Sequence, residues 1–210
     1  MSAELGKIEK PLVEDFKKGR KLFFIPLIYG GKDSPPEYIE KFNKYWDQAE
    51  AQVSELELKL GKASKIYHEL IPVGGEEGVK AIKDLNEKSH QLIKYRVQKG
   101  AQVEATEEDE LLTEFMDWSR CLTIGLQNQK VFTKVYEFYT EASKKRNEYI
   151  AQHIDETLKE DEIGLILMRE GHKVQFPSDI QLFYVAPPAL DEIYRWLRDF
   201  ESKPQEEKQG

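Results

Sequence analysis

Residues 34–70, with the sequence SPPEYIEKFNKYWDQAEAQVSELELKLGKASKIYHEL, decide the architecture that the chain predicts. Their apolar side chains recur at alternating intervals of three and four residues, at Ile39, Phe42, Trp46, Ala49, Val53, Leu56, Leu60, Ala63, Tyr67 and Leu70. Residues at these intervals share one face of an α-helix, and the mean interval of about 3.5 is the coiled-coil period. The pattern therefore predicts one long helix that lies along a partner.

Both ends of this predicted helix have sequence signals. Ser34 can accept a backbone N–H group as N-cap, Pro35 suits the first helical position, and Glu37 stands where a capping box needs an acidic residue. Pro72 and Gly74-Gly75 follow the helix, and such residues end helices. At about 1.5 Å per residue the helix would be roughly 50 Å long, which exceeds the width of a compact domain of this size.

The composition is typical of a folded, soluble chain. Of the 210 residues, 40% are hydrophobic and 33% are charged, as expected for a globular protein with long polar helix faces. The net charge of −8 provides no basic excess, so no nucleic acid is expected as a partner. Cys121 is the only cysteine, no apolar run approaches a membrane span, and the charged N-terminus lacks a signal-peptide pattern. We therefore expect a cytoplasmic protein that does not bind a membrane.

Short apolar runs near both ends of the chain predict strands. Residues 21–29 (KLFFIPLIY) form the first, although Pro26 lacks a backbone donor and should lie at a sheet edge or a bulge. Residues 163–168 and 180–185 are similar runs near the C-terminus. The simplest assembly is one small sheet in which the first strand joins the last two.

The remaining apolar patterns predict further helices. A helix from Val79 to Val97, closed by Gly100, should pack against the first helix as an antiparallel hairpin. A third helical segment, from Thr106 to Leu158, is weakened at Gly125–Asn128 and either kinks there or breaks in two. A last helix covers Leu190–Phe200.

Together these elements predict a mainly α protein with a small α/β part. A long antiparallel helical hairpin or bundle, residues 34–159, is inserted between an N-terminal strand and a C-terminal strand–strand–helix unit. Residues 21–33 and 160–200 would form the α/β base with its short sheet. An N-terminal arm, residues 1–20, precedes the base, and a disordered tail, residues 201–210, follows it.

Polar residues at the ends of the predicted strands form the first candidate site. If the strands are parallel, their carboxyl ends share one edge of the sheet, where ligands bind. The ligand-binding residues expected at this edge are Lys32, Asp33, Arg169, Glu170, His172 and Asp191. In the turn Arg169–His172, glycine allows a ligand to approach the backbone, and the Arg and His suit an anionic group or acid–base chemistry. The alternative is an ordinary polar turn.

Two further motifs have simpler structural explanations. Gly30-Gly31-Lys32-Asp33 has the composition of a phosphate-binding loop but not its spacing, so a strand-to-helix turn is favoured. His68, near the end of the long helix, could meet a carboxylate or a metal ion, but a surface histidine is favoured. The basic run Lys144-Lys145-Arg146 is interpreted as a solvated helix face.

The last candidate sites are two groups of residues at helical spacing. Glu87 and His90 form an E-x-x-H pair, which is half of a di-metal site whose second half the sequence lacks. Asp117 stands at helical spacing from Arg120 and Cys121, where a structural ion pair and an inert, buried thiol are favoured. Neither a metal nor another cofactor is predicted.

The sequence leaves two hypotheses of function open. The first is a non-enzymatic binding or interaction protein whose long helical arm self-associates, so that the partner is a second copy or another protein. The second is an enzyme, or a sensor of a small anionic ligand, that acts at the turn Arg169–His172. Whether the protein is an enzyme stays open, because the common hydrolase, zinc and nucleotide-binding signatures are missing from the sequence.

Overall fold

The computed structural model describes residues 18–31 and 33–202, in which five strands form one parallel sheet. The strands are β1 (Lys21–Pro26), β2 (Lys65–His68), β3 (Gln102–Val103), β4 (Ile163–Met168) and β5 (Gln181–Tyr184). Their order across the sheet is β3-β2-β4-β1-β5, and all neighbours are parallel. Lys32 and most of the predicted N-terminal arm and C-terminal tail lie outside the described residues.

Within the same described residues, six helices accompany the sheet. They are α1 (Pro36–Leu60), α2 (Gly75–Leu85), α3 (Glu87–Gln98), α4 (Asp109–Thr123), α5 (Gln129–Thr157) and α6 (Pro188–Ser202). The prediction of a mainly α protein with a small α/β part is therefore confirmed. Among the helices of the described ranges, none combines the length and the apolar character that crossing a bilayer requires.

The central strands β1 and β4 are buried along their whole length. Their residues alternate between two cores: Phe23 and Ile25 face one side of the sheet, whereas Leu22 and Phe24 face the other. A strand that is covered on both faces has to be apolar throughout, which is why both strands are continuous apolar runs in the sequence.

Helices cover the two faces of the sheet. On one face, α1, α2, α3 and α6 supply core residues such as Trp46, Ile82 and Ile193. On the other face, Ile150 and Ile154 of α5 pack against the sheet together with the connection between β4 and β5. The sheet is thus the middle of three layers. The helices cover its faces and leave the ends of the strands free for a ligand site.

The first helix is shorter than its apolar spacing predicts. It ends at Leu60, because Gly61 adopts a φ of 122°, and the chain then forms β2. The prediction of one helix as far as Leu70 is wrong. Ala63 and Tyr67 continue the helical spacing only because both are buried, and Tyr67 is buried as part of the sheet.

The predicted capping box at the start of this helix is wrong too. Pro35 is the N-cap of α1, and no side chain caps the helix. The Ser34 hydroxyl instead accepts a hydrogen bond from the Gly31 N–H at 2.9 Å, which closes the preceding turn. Glu37 accepts a hydrogen bond from the Trp196 indole at 3.1 Å and so helps to dock α6 on α1.

The predicted second helix is two helices. Asn86 separates α2 from α3, and its side chain accepts hydrogen bonds from the backbone N–H groups of Lys88 and Ser89 as an N-cap. The strand β2 lies between α1 and α2 in the chain, so the two helices do not follow each other directly and the predicted antiparallel hairpin is not confirmed. The sheet therefore takes β2 and β3 from residues 34–159, which the sequence patterns assigned to helices alone.

The third helical segment is fully broken at the predicted weak point. α4 ends at Thr123, and Asn128 caps α5. The two helices pair through aromatic rings: Trp118 stacks on Phe138 at a centroid distance of 4.8 Å. We name this pair of helices, residues 109–157, the α4–α5 hairpin.

Pro26 lies in a strand with neighbours on both sides, but the position itself pairs only with β4, so the side where its donor is missing is unpaired, as the predicted edge position requires. It is the last residue of β1, and β5 has already ended opposite Phe24. The backbone N–H and C=O groups of the even-numbered residues point towards β5. The carbonyl groups of Arg20 and Phe24, for example, accept hydrogen bonds from the N–H groups of Gln181 and Val185. The missing donor of Pro26 therefore falls where the pairing with β5 has stopped.

Gly164 of β4 provides a test of this packing. A methyl group there would lie 2.8 Å from Leu22 Cδ1 and 3.1 Å from Tyr67 Cε2. We expect Gly164→Ala to lower the free energy of unfolding in urea by about 1–3 kcal/mol, because overpacking forces these neighbours to move. Gly31→Ala is the matched control, since its nearest contact would be an ordinary 3.6 Å. Equal losses in the two variants would contradict the tight fit at Gly164.

Candidate functional site

The carboxyl ends of β1, β2 and β4 meet at one edge of the sheet. The chain leaves β1 and β2 towards helices on one face, whereas it leaves β4 towards the face that α5 covers. Neighbouring strands whose connections leave on opposite faces open a crevice, which is the usual ligand site of open parallel sheets. Glu69 and Arg169, which follow β2 and β4 directly, lie at this edge.

Glu69 joins two arginines although it is only 3% exposed. Its carboxylate accepts hydrogen bonds from Nε and Nη2 of Arg169 at 2.9–3.2 Å and from Nη2 of Arg146 at 3.3 Å. Burial alone would raise the pKa of Glu69, but the hydrogen bonds and the charge of Arg169, aided by Arg146, outweigh it and hold the pKa below its usual value. The carboxylate is therefore ionised at neutral pH.

Arg146 of α5 is held by a second carboxylate. Its Nε donates to Glu107 Oε2 at 2.8 Å, and its Nη2 donates to Glu107 Oε1. The ring of Phe115, on α4, lies 4.7 Å from the guanidinium carbon. Two buried carboxylates and an aromatic ring thus give this guanidinium one fixed orientation.

Neither arginine uses all of its donors. In residues 18–31 and 33–202, Nη1 of Arg146 and Nη1 of Arg169 have no hydrogen-bond partner, whereas Nε and Nη2 of both bind carboxylates. The side chain of Arg146 is 7% exposed and that of Arg169 is 50% exposed. A guanidinium that is oriented in advance and has free N–H groups is suited to a carboxylate or a phosphate.

Both arginines line a cavity of about 720 Å³. Small-molecule sites in proteins are usually about 300–1,000 Å³ in volume, so the cavity has room for a metabolite-sized ligand. It is bounded by the α4–α5 hairpin and by the connection between β4 and β5. Besides Glu69 and the two arginines, its wall includes Phe115, Ser119, Tyr136, Tyr139, Thr140, Ser143, Lys144, Asn147, Glu148, Ala151, Lys173 and Gln175.

The turn after β4 completes this wall, since all four residues from Arg169 to His172 line the cavity. The His172 Nδ1 accepts a hydrogen bond from the Val174 N–H at 3.2 Å, so its proton lies on Nε2. Burial lowers the pKa of His172, which keeps the ring neutral near pH 7. Glu170 lies beside Tyr194 of α6, whose phenol has its pKa raised by burial first and by this carboxylate second.

The structure brings together only part of the predicted site. Arg169, Glu170 and His172 line one cavity. Asp33 is exposed in the turn before α1, and Asp191 forms an exposed ion pair with Arg195 at 2.8 Å on α6. Asp191 follows β5, which β1 separates from β4, so the two carboxyl ends are not neighbours. The sixth residue, Lys32, lies outside the described part of the chain.

Three residues that hold the site together were missed in the sequence. Glu69 and Glu107 follow short strands that the apolar pattern concealed. Arg146 belongs to the basic run for which the sequence predicts a solvated helix face, yet it is buried. One signal was present: Arg146 stands four residues after Ala142 and four before Ile150, on the buried stripe of α5.

His68 is fully buried, so the favoured surface position is wrong. Its Nδ1 lies 2.7 Å from the Glu69 carbonyl oxygen, and its Nε2 lies 3.1 Å from the Ser89 hydroxyl. Burial lowers the pKa of His68 to about 4, so the ring is neutral. These contacts fix the backbone at Glu69 and give His68 a positioning role.

The other motifs lie away from the cavity. His90 Nδ1 is 3.8 Å from Glu87 on α3, and in the described ranges no three His, Cys, Asp or Glu side chains cluster as a metal site would require. Asp117 and Arg120 form an exposed pair at 3.0 Å. Cys121 is partly exposed instead of buried.

Comparisons with protein-family models, with curated proteins and with solved structures find no match to this chain. The chemistry of the cavity therefore has to be inferred from its own side chains. These offer fixed guanidinium donors, a neutral imidazole, hydroxyl groups and aromatic rings around one cavity.

The buried His68 predicts a pH dependence of stability. Its pKa is about 4 in the folded state and about 6.5 in the unfolded state, so the unfolded chain binds more protons between these values. We expect this group to reduce the free energy of unfolding by up to about 3 kcal/mol as the pH falls from 6.5 to 4. Urea denaturation at several pH values measures the slope.

The variant His68→Gln should show a smaller slope in this pH range, whereas His153→Gln controls for the loss of a histidine elsewhere. Titration of the His68 ring by NMR in the unmodified protein gives an independent readout. A midpoint near 6.5 would contradict the prediction, even if His68→Gln did not fold.

Proposed function

We propose that this protein binds a small anionic molecule in the cavity at the carboxyl edge of its sheet. One observation carries the proposal: Glu69 orients Arg146 and Arg169 together, and each guanidinium keeps Nη1 without a partner among the described residues. An anion would supply the acceptors that these donors lack. Each charge-assisted hydrogen bond of this kind contributes about 1.5–3 kcal/mol.

Directed donors, more than net charge, account for the preference for an anion. The cavity is lined by four cations and three carboxylates, so its charge excess is small. Glu69 is fully engaged by the arginines, and Glu148 lies 3.7 Å from Lys144. Lys173 and the Nε2–H of His172 are further donors on the same wall. A ligand with one or two negative charges fits this arrangement best.

The proposal concerns binding, as in a sensor or carrier, and it assigns no side chain to a chemical step. The site is built on the ends of rigid strands and on a packed helix, which keeps its donors in place before a ligand arrives. The adjoining α4–α5 hairpin would contact the same ligand through its cavity-lining side chains.

Calorimetric titration with phosphate, pyrophosphate and citrate tests the proposal. We expect at least one of these anions to bind and to raise the melting temperature. Arg169→Gln should weaken this binding about tenfold or more, because two charge-assisted donors are lost. Arg169→Lys should lose most of the affinity as well, since an ammonium group lacks the planar fork that binds Glu69 through Nε and Nη2 while Nη1 stays directed at the ligand.

Arg120→Gln is the matched control, because Arg120 is an exposed arginine of α4 that does not line the cavity. It should bind the same anions as the unmodified protein. If no anion binds, or if Arg169→Gln and Arg120→Gln have the same affinity, the proposal is wrong.

Self-association through the α4–α5 hairpin is a second candidate function. No residue from 113 to 141 is buried, although this segment contains many apolar side chains. Val131 and Phe138 on one flank of α5 keep 47% and 45% of their surface exposed. Two paired helices are half of a four-helix bundle, so a second copy could cover these side chains.

The charges on α5 fit such a second copy. Lys130, Lys134, Glu137 and Glu141 follow each other at intervals of four, three and four residues and form one stripe. In an antiparallel pair of α5 helices, the basic half of one copy faces the acidic half of the other. The pair would be isologous, as two-fold symmetry requires.

Light scattering over a range of concentrations tests the second candidate. We expect a dimer at high concentration, and a monomer when Val131 and Phe138 are both replaced by serine, because the shared apolar flank is lost. The variant Leu58→Ser, which changes an exposed leucine of α1, should dimerise normally. A monomer at every concentration would refute self-association.

A further inference from the structure

One wall of the cavity is aromatic. Phe115 of α4 and Tyr139 and Tyr136 of α5 line it in succession, with ring centroids 5.5 Å and 6.3 Å apart. Phe132 extends the series, since its ring is nearly parallel to that of Tyr136 at 6.1 Å. The row of rings begins beside Arg146, whose guanidinium carbon lies 4.7 Å from the Phe115 ring. The aromatic wall and the anion site are therefore adjacent.

The cavity-facing stripe of α5 changes character along its length. Tyr136, Thr140, Ser143 and Asn147 all line the cavity and follow each other at intervals of four, three and four residues. Aromatic groups come first, hydroxyl groups follow, and the amide lies beside the buried Arg146. From Tyr139 to Arg146 the helix rises about 10 Å, which leaves space for a polar linker between a ring and an anion.

Part of the aromatic wall is exposed and can contact a ligand. Tyr136 is 54% exposed although it lines the cavity, so its ring can gain a stacking partner there. Side-chain rings stack on any flat heterocycle, whereas hydroxyl and amide groups of Thr140, Ser143 and Asn147 can hydrogen-bond to a sugar. The Thr140 hydroxyl already donates to the Tyr136 carbonyl at 2.8 Å, and the Asn147 amide donates to the Ser143 hydroxyl at 3.5 Å. The oxygen atoms of Thr140 and Asn147 are therefore what these two residues offer to sugar hydroxyl groups.

We infer that the ligand is a nucleoside phosphate, with its base against Tyr136 and Tyr139 and its phosphate at Arg146 and Arg169. This inference rests on the proposed function, because it concerns the same cavity and the same pair of guanidinium groups. The three successive kinds of side chain match the three parts of the molecule: base, sugar and phosphate. Recognition by stacking tolerates different bases, so the class of ligand is defined more sharply than the base.

Three probes separate these contributions: inorganic phosphate, ribose 5-phosphate and adenosine 5′-monophosphate, titrated under identical conditions. We expect adenosine 5′-monophosphate to bind at least about tenfold more tightly than ribose 5-phosphate, because only the nucleotide can stack on the tyrosines. Tyr136→Ala should reduce this preference to about threefold or less while the affinity for ribose 5-phosphate stays unchanged. Tyr136 is exposed, so its replacement should leave the fold intact.

Tyr95→Ala is the matched control, since Tyr95 is an exposed tyrosine of α3 that does not line the cavity. It should keep the full preference for the nucleotide. If ribose 5-phosphate and the nucleotide bind equally, or if Tyr136→Ala keeps the preference, the inference is wrong while anion binding stands. If none of the three probes binds, the inference is wrong, and the titrations with pyrophosphate and citrate decide separately whether anion binding at this site stands.

Discussion

The buried carboxylate of Glu69 is the charge on which the rest of this structure depends. A carboxylate removed from water destabilises a fold unless cations and hydrogen bonds compensate it, and here two arginines do so. Arg169 belongs to the end of β4 and Arg146 to α5, so one carboxylate ties two strand ends to the helix on the far face. Both arginines bind carboxylates through Nε and Nη2 and keep Nη1 without a partner among the described residues. The interaction that stabilises this edge of the sheet therefore also leaves donors for a ligand.

Glu107, in the segment after β3, is a second buried carboxylate that is compensated by an arginine and by hydrogen bonds. It binds Arg146 and accepts a hydrogen bond from the Leu70 N–H at 2.9 Å, which links two connections that would otherwise be separate. His68 adjoins this network as a neutral, buried ring that contacts the Glu69 carbonyl oxygen and the Ser89 hydroxyl. The cavity is thus rigid on the side of the sheet, whereas its opposite wall belongs to the α4–α5 hairpin, whose distal half has no buried residue. A ligand that contacts both walls would bridge a rigid and an exposed part of the molecule.

Local signals account for what could be predicted. The run 163–168 predicts a strand because a strand covered on both faces has to be apolar, whereas the strand in the run 180–185 is only half-buried. The weak point at Gly125–Asn128 is a complete break between two helices. The helix predicted as far as Leu70 shows the limit of periodicity. Lys65–His68 has only four residues, and over so short a stretch buried side chains at a spacing of four suit a helix and a strand alike.

Neighbouring residues encode the mainly α composition, the strands near both ends and the polar turn Arg169–His172, so local patterns are sufficient to predict them. The network of Glu69, Glu107, Arg146 and Arg169 is visible in the folded chain alone. Arg146 lies 77 residues from Glu69 and 39 from Glu107 along the chain, so no local pattern records their contacts. The order of strands in the sheet brings them together, and that order results from the packing of the whole chain.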